Sequence, residues 1–170
     1  TTPFKTQISN CTFIGDMPSS IRLTRDNFSR TVVTGCVFVN NVESLSLHAW
    51  NIDVVDSKFY NTTAVRLYED EIVAYPVIKF TGCEFINTEE FNTIVNDVKT
   101  TATMIHFCSC KLVRANVQME TISSTMSFLG CCIDNITFNN IDSVVSIRMN
   151  ECSLRELPKF TGIDCSISYG

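Results

Sequence analysis

Short runs of alternating apolar and polar residues recur along the chain, as in "SIRL" from 20, "SLSLH" from 44, "AVRLY" from 64, "NVQME" from 116 and "NITFNN" from 135. Each places apolar side chains two apart, the period of a strand with one buried face. The stretch "AWNIDVVDSKFYN" from 49 shows no 3.6-residue rhythm, and no helix is predicted there. A second pattern is superimposed on the first. The hexapeptides "ISNCTF" at 8, "VTGCVF" at 33, "VVDSKF" at 54, "FTGCEF" at 80, "FCSCKL" at 107, "FLGCCI" at 128 and "MNECSL" at 149 share one form: apolar, any, small or polar, Cys, any, large apolar. Ser57 stands in place of Cys in the third copy, and successive central positions are 25, 21, 26, 27, 21 and 21 residues apart. That spacing lies in the range of solenoid repeats.

Within a copy, the Cys and the large apolar residue two positions later share one side of a strand, whereas the apolar residue three before the Cys needs a bend to join them. Asn10, Gly35, Asp56, Gly82 and Gly130 occupy that bend, and Gly, Asn and Asp tolerate the backbone angles a corner demands. Asn40, Asn61 and Asn87 recur at a second equivalent position, which predicts another turn and a stacked asparagine ladder. Three short strands and their turns fit a coil of about 21 residues; a leucine-rich repeat would need regular Leu spacing and a helical segment.

Composition agrees. Charged residues make up 18% of the chain, against a usual level of about 25%, and the abundance of Val, Ile, Thr and Phe favours strands. The 170 residues are read as a single domain spanning 1–170. The chain begins "TTPFKTQISN", without Met or a signal-peptide pattern, so it is expected to be a fragment or mature piece of a larger assembly. A net charge of -5 and a pI near 5.0, with no basic run, predict no nucleic-acid partner. No apolar stretch reaches the roughly 18 residues a membrane helix needs, so no membrane insertion is expected.

On "TGCVFVNN", "DSKFYNT" and "TGCEFINT", the chain resembles right-handed parallel β-helix proteins, the pectate-lyase-like architecture also found in phage tailspikes, autotransporter passengers and other viral β-helix proteins. The aligned copies run from about residue 8 to 167. The resemblance implies an all-β, right-handed parallel β-helix of about seven coils with a stacked Cys and Phe core. It is a resemblance of architecture, which does not by itself assign a function.

In that architecture Cys11, Cys36, Cys83, Cys110, Cys131 and Cys152 form one column of buried free thiols, since cysteine packs as a small hydrophobe. Ser57 in the same column favours a slot for a small side chain over a metal ligand. "CSC" at 108 and "CC" at 131 lack the paired knuckles of zinc sites, so no metal and no cofactor is expected. Disulfides between neighbouring coils remain the alternative. Sequons at Asn10, Asn27, Asn61 and Asn135 are glycan acceptors if the chain is exported.

No catalytic residue is assigned. His48 and His106 are the only histidines, and neither adjoins a nucleophile motif; His106 alternates with Ile105 and Phe107 and is expected to face outward. A glycan-cleaving enzyme would need paired carboxylates, for which Asp53, Asp56 and Glu84 are the nearest options. The coils 57–83 and 83–110 are the longest, and solenoid insertions emerge as loops able to bind partners. Tyr68, Glu69, Asp70, Glu71, Tyr75, Glu89, Glu90 and Phe91 are therefore the candidate recognition residues. The expected function is a non-enzymatic structural or recognition module, part of a viral spike, fibre or capsid-associated protein located in the virion. A carbohydrate-active β-helix lyase or hydrolase, or an extracellular cell-surface adhesin, is the alternative. Expected partners are subunits or domains capping the coil ends, and a host-surface glycan or protein.

Overall fold

A computed structural model describes residues 5–15, 18–23, 30–47, 51–68, 76–99, 102–121, 123–140, 144–161 and 165–170. In chain order its strands begin with β1 (Lys5–Ser9), β2 (Thr12–Ile14) and β3 (Ile21–Leu23). The same succession repeats in β4 (Arg30–Thr34), β5 (Val37–Val39) and β6 (Glu43–Leu47), and again in β7 (Asn51–Val55), β8 (Lys58–Tyr60) and β9 (Thr63–Leu67). Then β10 (Val77–Thr81) is followed by the 13-residue β11 (Glu84–Asn96), β12 (Thr103–Cys108) by β13 (Lys111–Met119), and β14 (Ser123–Leu129) by β15 (Cys132–Asn140). The chain closes with β16 (Val144–Asn150), β17 (Ser153–Leu154), β18 (Lys159–Thr161) and β19 (Cys165–Tyr169).

The pairings are parallel throughout. One sheet runs β1-β4-β7-β10-β12-β14-β16-β19 in strict order, so each strand lies on the strand one repeat earlier. The second sheet stacks β2, β5, β8, β11, β13, β15 and β17, with β3, β6, β9 and β18 joined to it. The fold is an all-β parallel β-solenoid of about six turns. The expectation of about seven counted the terminal hexapeptides as full coils. They pack less completely: Cys11 is exposed and Cys152 half-buried, and β17 has only two residues.

The corner before each Cys is a column of left-handed backbone. Asn10, Gly35, Asp56, Gly82, Ser109, Gly130 and Glu151 all have φ between 47° and 64°. Side chains and glycines alternate along it for a steric reason. A Cβ on Gly35 would lie 2.6 Å from Asn10 Oδ1, and one on Gly82 would collide with Asp56 Oδ1. Asn10 and Asp56 lean over the next coil, which there presents a glycine, whereas Ser109 Oγ stays 3.9 Å from a Cβ placed on Gly130. A second left-handed column contains Asn40, Asn61, Arg114 and Asn135.

Asn87 departs from the predicted ladder. It has no positive φ; it is buried, and its amide donates to Thr93 Oγ1 at 3.1 Å and to the Arg114 carbonyl at 3.2 Å. The extra residues of this coil are absorbed as register shifts between Ile86 and Phe91 and between Asn92 and Ile94, a bulge that re-aims the following strand.

Inside, two phenylalanine stacks run along the axis. Phe13, Phe38, Phe59 and Phe85 lie in register with ring centroids 4.9, 4.9 and 5.1 Å apart, and Leu112 and Ile133 continue their column. Phe80, Phe107 and Phe128 stack opposite at 5.1 and 4.7 Å, and edge-to-face contacts such as Phe80–Phe85 join the two sets. Parallel pairing in register places identical rings about 4.8 Å apart, close to the optimal separation of aromatic pairs.

The cysteine column accompanies these stacks. Cys36, Cys83, Cys110 and Cys131 are buried and free. Each thiol donates to the carbonyl two residues before it and to one in the preceding coil; for Cys83 these are Thr81 at 3.5 Å and Val54 at 3.4 Å. Ser57 fills the same slot, its hydroxyl donating to the Val55 carbonyl at 2.9 Å and accepting from the Cys36 N–H at 3.1 Å. The thiols also perturb one another. The hydrogen bond with Cys110 lowers the pKa of Cys83. For Cys110, the bond with Cys131 acts downward but is outweighed by the bond with Cys83 and by burial, and the thiol is pushed up to about 12. Cys131 is raised by its bond with Cys110 and by burial.

Candidate functional site

Two clusters of polar side chains lie on the strands β6, β9, β11, β13, β15 and β18 of the second sheet. The first is centred on Glu43. Its side chain is 9% exposed, and its carboxylate accepts from Ser46 Oγ at 2.6 Å, from the Tyr68 hydroxyl at 2.8 Å and from Arg66 at 3.3 Å. Arg66 also pairs with Asp97 at 2.9 Å, and its guanidinium lies 5.2 Å from the centre of the Tyr68 ring. A carboxylate this deep is costly unless paired and hydrogen-bonded, and Glu43 is both, through residues of its own and the next coil. Burial acts against the Arg66 charge, but Asp97 and Glu43 together raise its pKa. Burial and then the bond to Glu43 raise that of Tyr68.

The second feature is a ladder of amides. Thr161 Oγ1 donates to Asn139 Oδ1; Asn139 donates to Asn116 Oδ1 at 2.6 Å, Asn116 to Asn92 Oδ1 at 2.8 Å, Asn92 to Gln118 Oε1 at 3.2 Å, and Gln118 to Glu120 at 3.3 Å. Every donor in the chain points the same way, ending on a carboxylate. At the β18 end this ladder opens into a groove of about 270 Å³ lined by Arg114, Asn116, Asn135, Thr137, Asn139, Lys159 and Thr161. A stacked asparagine ladder was predicted from Asn40, Asn61 and Asn87; Asn40 and Asn61 share the left-handed turn, and the hydrogen-bonded ladder among the described residues uses Asn92, Asn116 and Asn139.

Of the candidate recognition residues, Tyr68 is half-buried and tied to Glu43, and Glu89 is exposed on β11. Glu69, Asp70, Glu71 and Tyr75 lie outside the described residues, as do the side chains of Glu90 and Phe91. The structure therefore brings Tyr68 together with Glu43, Arg66 and Asp97, which the sequence reading did not single out. Their separations of 23 to 31 residues leave no local signature.

Among the sequons, Asn10 is exposed and Asn61 accepts from the Thr88 N–H at 2.8 Å and its hydroxyl at 3.1 Å. Asn135 lines the groove, and Asn27 lies outside the described residues. Asp53 pairs with Arg30, and Glu84 with Lys58 at 3.1 Å, while Asp56 packs at the Gly82 corner. His48 lies outside the described residues. His106 is half-buried on the outer side of β12, its Nδ1 2.6 Å from Ser127 Oγ; burial and the Lys79 charge lower its pKa. Among the described residues no three His, Cys, Asp or Glu side chains gather as a metal site. Comparison with protein-family models, with curated proteins and with solved structures finds no match. The chain is an all-β parallel β-solenoid that carries the Glu43 cluster and the amide ladder on its second sheet.

Proposed function

We propose that this chain is a non-enzymatic recognition rod, part of a viral spike, fibre or capsid-associated protein carried on the virion, which contacts a host-surface glycan or protein. The observation that carries the reading is the amide ladder from Thr161 to Glu120. Its members Asn92, Asn116, Asn139 and Thr161 come from four successive coils, a row of hydrogen-bonding groups on a stiff core that suits a repeating ligand better than a single reacting bond. Subunits or domains stacked on the end coils belong to the same reading, supported by Ile14 at 72%, Leu157 at 77% and Tyr169 at 54% exposure. So does a right-handed winding, the hand of about 98% of parallel crossover connections.

The test is binding of the purified protein to a glycan array and to intact cells, with Asn116→Ala as the ladder variant and reducing-end release assayed in parallel. Saturable binding weakened by the variant, without release of sugar, is expected. Turnover of a bound glycan would establish the lyase or hydrolase alternative, and absence of saturable binding on both array and cells would refute recognition.

A further inference from the structure

The groove beside β18 has the donor and acceptor balance of a site for an anionic ligand. Asn139 Oδ1 accepts from Thr161, and Asn116 Oδ1 accepts from Asn139. The ladder thus occupies the acceptor atoms of both amides and spends only one N–H of each, leaving further N–H groups beside the cavity. Arg114 and Lys159 add cationic donors. The Arg114 guanidinium is held by the Thr88 carbonyl, an uncharged partner, and among the described residues it has no ion pair. Among the described residues Lys159 has only a 3.9 Å contact with Glu156, and 58% of its side chain is exposed. Asp134, next to the groove, is already paired with Arg155 at 2.9 Å. Asn135 and Thr137 have no side-chain hydrogen bond among the described residues, so both can turn to a ligand hydroxyl.

We infer that this groove binds an oligosaccharide bearing anionic groups, either carboxylate or sulfate ester, with Arg114 and Lys159 holding the charge and Asn135, Thr137 and Asn139 the hydroxyls. The inference rests on the recognition reading above and names its ligand class. Guanidinium and ammonium donors around an oxyanion form the stronger, charge-assisted hydrogen bonds, and a groove that excludes part of the solvent strengthens them further.

The test is calorimetric titration of the intact protein with three oligosaccharides of equal length: a sulfated one, a carboxylate-bearing one and a neutral one. Arg114→Asn suits the left-handed corner, where Arg114 has φ 51°, because Asn tolerates that conformation. Lys159→Gln removes the second charge, and Lys58→Gln, on another face, is the control. Unchanged thermal melting establishes that each variant folds. The expected result is binding of at least one anionic oligosaccharide, a tenfold or greater loss in Arg114→Asn and in Lys159→Gln, and no change in Lys58→Gln. The anionic ligand that binds assigns carboxylate or sulfate as the group recognised. Equal affinity for the neutral oligosaccharide would overturn the anionic assignment. Anionic binding untouched by either groove variant would overturn the site while leaving recognition standing. Absence of binding here, with saturable binding on the array, would also overturn only this inference; absence on array and cells alike removes both.

Discussion

The alternating corner column makes a quantitative prediction at Gly82. Replacement by Ala imposes two costs. The first is the left-handed backbone, φ 64°, which costs a side chain with a Cβ about 1 kcal/mol. The second is steric, because the new methyl collides with Asp56 Oδ1 and the carboxylate must move off its place on the corner, at about another 1–2 kcal/mol. Gly130→Ala isolates the first cost, since φ is 61° there but the nearest atom, Ser109 Oγ, is 3.9 Å from the added Cβ. Gly82→Ala should therefore destabilise by about 2–3 kcal/mol and Gly130→Ala by about 1 kcal/mol. In an Asp56→Gly background Gly82→Ala should fall to about the Gly130 value, a coupling of about 1–2 kcal/mol between residues in contact. Urea titrations followed by far-ultraviolet circular dichroism measure this, with unchanged m-values required because solenoids can unfold in segments. Equal costs at the two glycines, or additivity of Asp56→Gly and Gly82→Ala within about 0.5 kcal/mol, would refute the steric origin of the alternation.

Phe107→Ala, which removes a ring stacked at 5.1 and 4.7 Å on Phe80 and Phe128, should cost about 3–5 kcal/mol by the same titration. Ile14→Ala, at 72% exposure, should stay within about 0.5 kcal/mol. A thiol reagent under native conditions should modify the exposed Cys11 and Cys132 first, with Cys36, Cys83, Cys110 and Cys131 reacting only on unfolding; mass mapping of the modified peptides reads the order. Cys110 ionises near 9.0 when unfolded and near 12 when folded, so the unfolded state loses the proton first as pH rises. The contribution of Cys110 to stability should thus be constant below about pH 9 and fall between 9 and 12, by up to about 1.4 kcal/mol per pH unit. Cys110→Ser should flatten that part of the stability profile. Glu43→Gln leaves Arg66 paired with Asp97 but removes the charge that Ser46 and Tyr68 donate to, and should cost about 1.5–3 kcal/mol, visible as a lower melting temperature that added salt does not restore.

The strands and the first corner were legible because their signals are local. Alternation at period two and a small or left-handed-tolerant residue before each Cys are set by neighbours in the chain, and they identified Asn10, Gly35, Asp56, Gly82 and Gly130 before any pairing was known. Ser109 and Glu151 occupy the same left-handed corner without being Gly, Asn or Asp; there the register of the adjoining strands dictates the backbone, and tertiary pairing overrides local preference. The second corner failed at Asn87 because the extra residues of its coil are accommodated by a bulge, whose position depends on what β13 and β9 offer as partners.

The amino-acid sequence by itself determined a repeating all-β chain and a cysteine slot that also accepts Ser57 and lies two positions before a large apolar residue, since each follows from residue type and spacing. Only the tertiary structure decided which polar residues meet. Glu43, Arg66, Tyr68 and Asp97 come from three successive coils, and Asn92, Asn116, Asn139 and Thr161 from four. Coil lengths vary from 21 to 27 residues, so equivalent positions cannot be aligned by counting. Their apposition is fixed by backbone hydrogen bonding between coils, a condition that no single stretch of sequence contains.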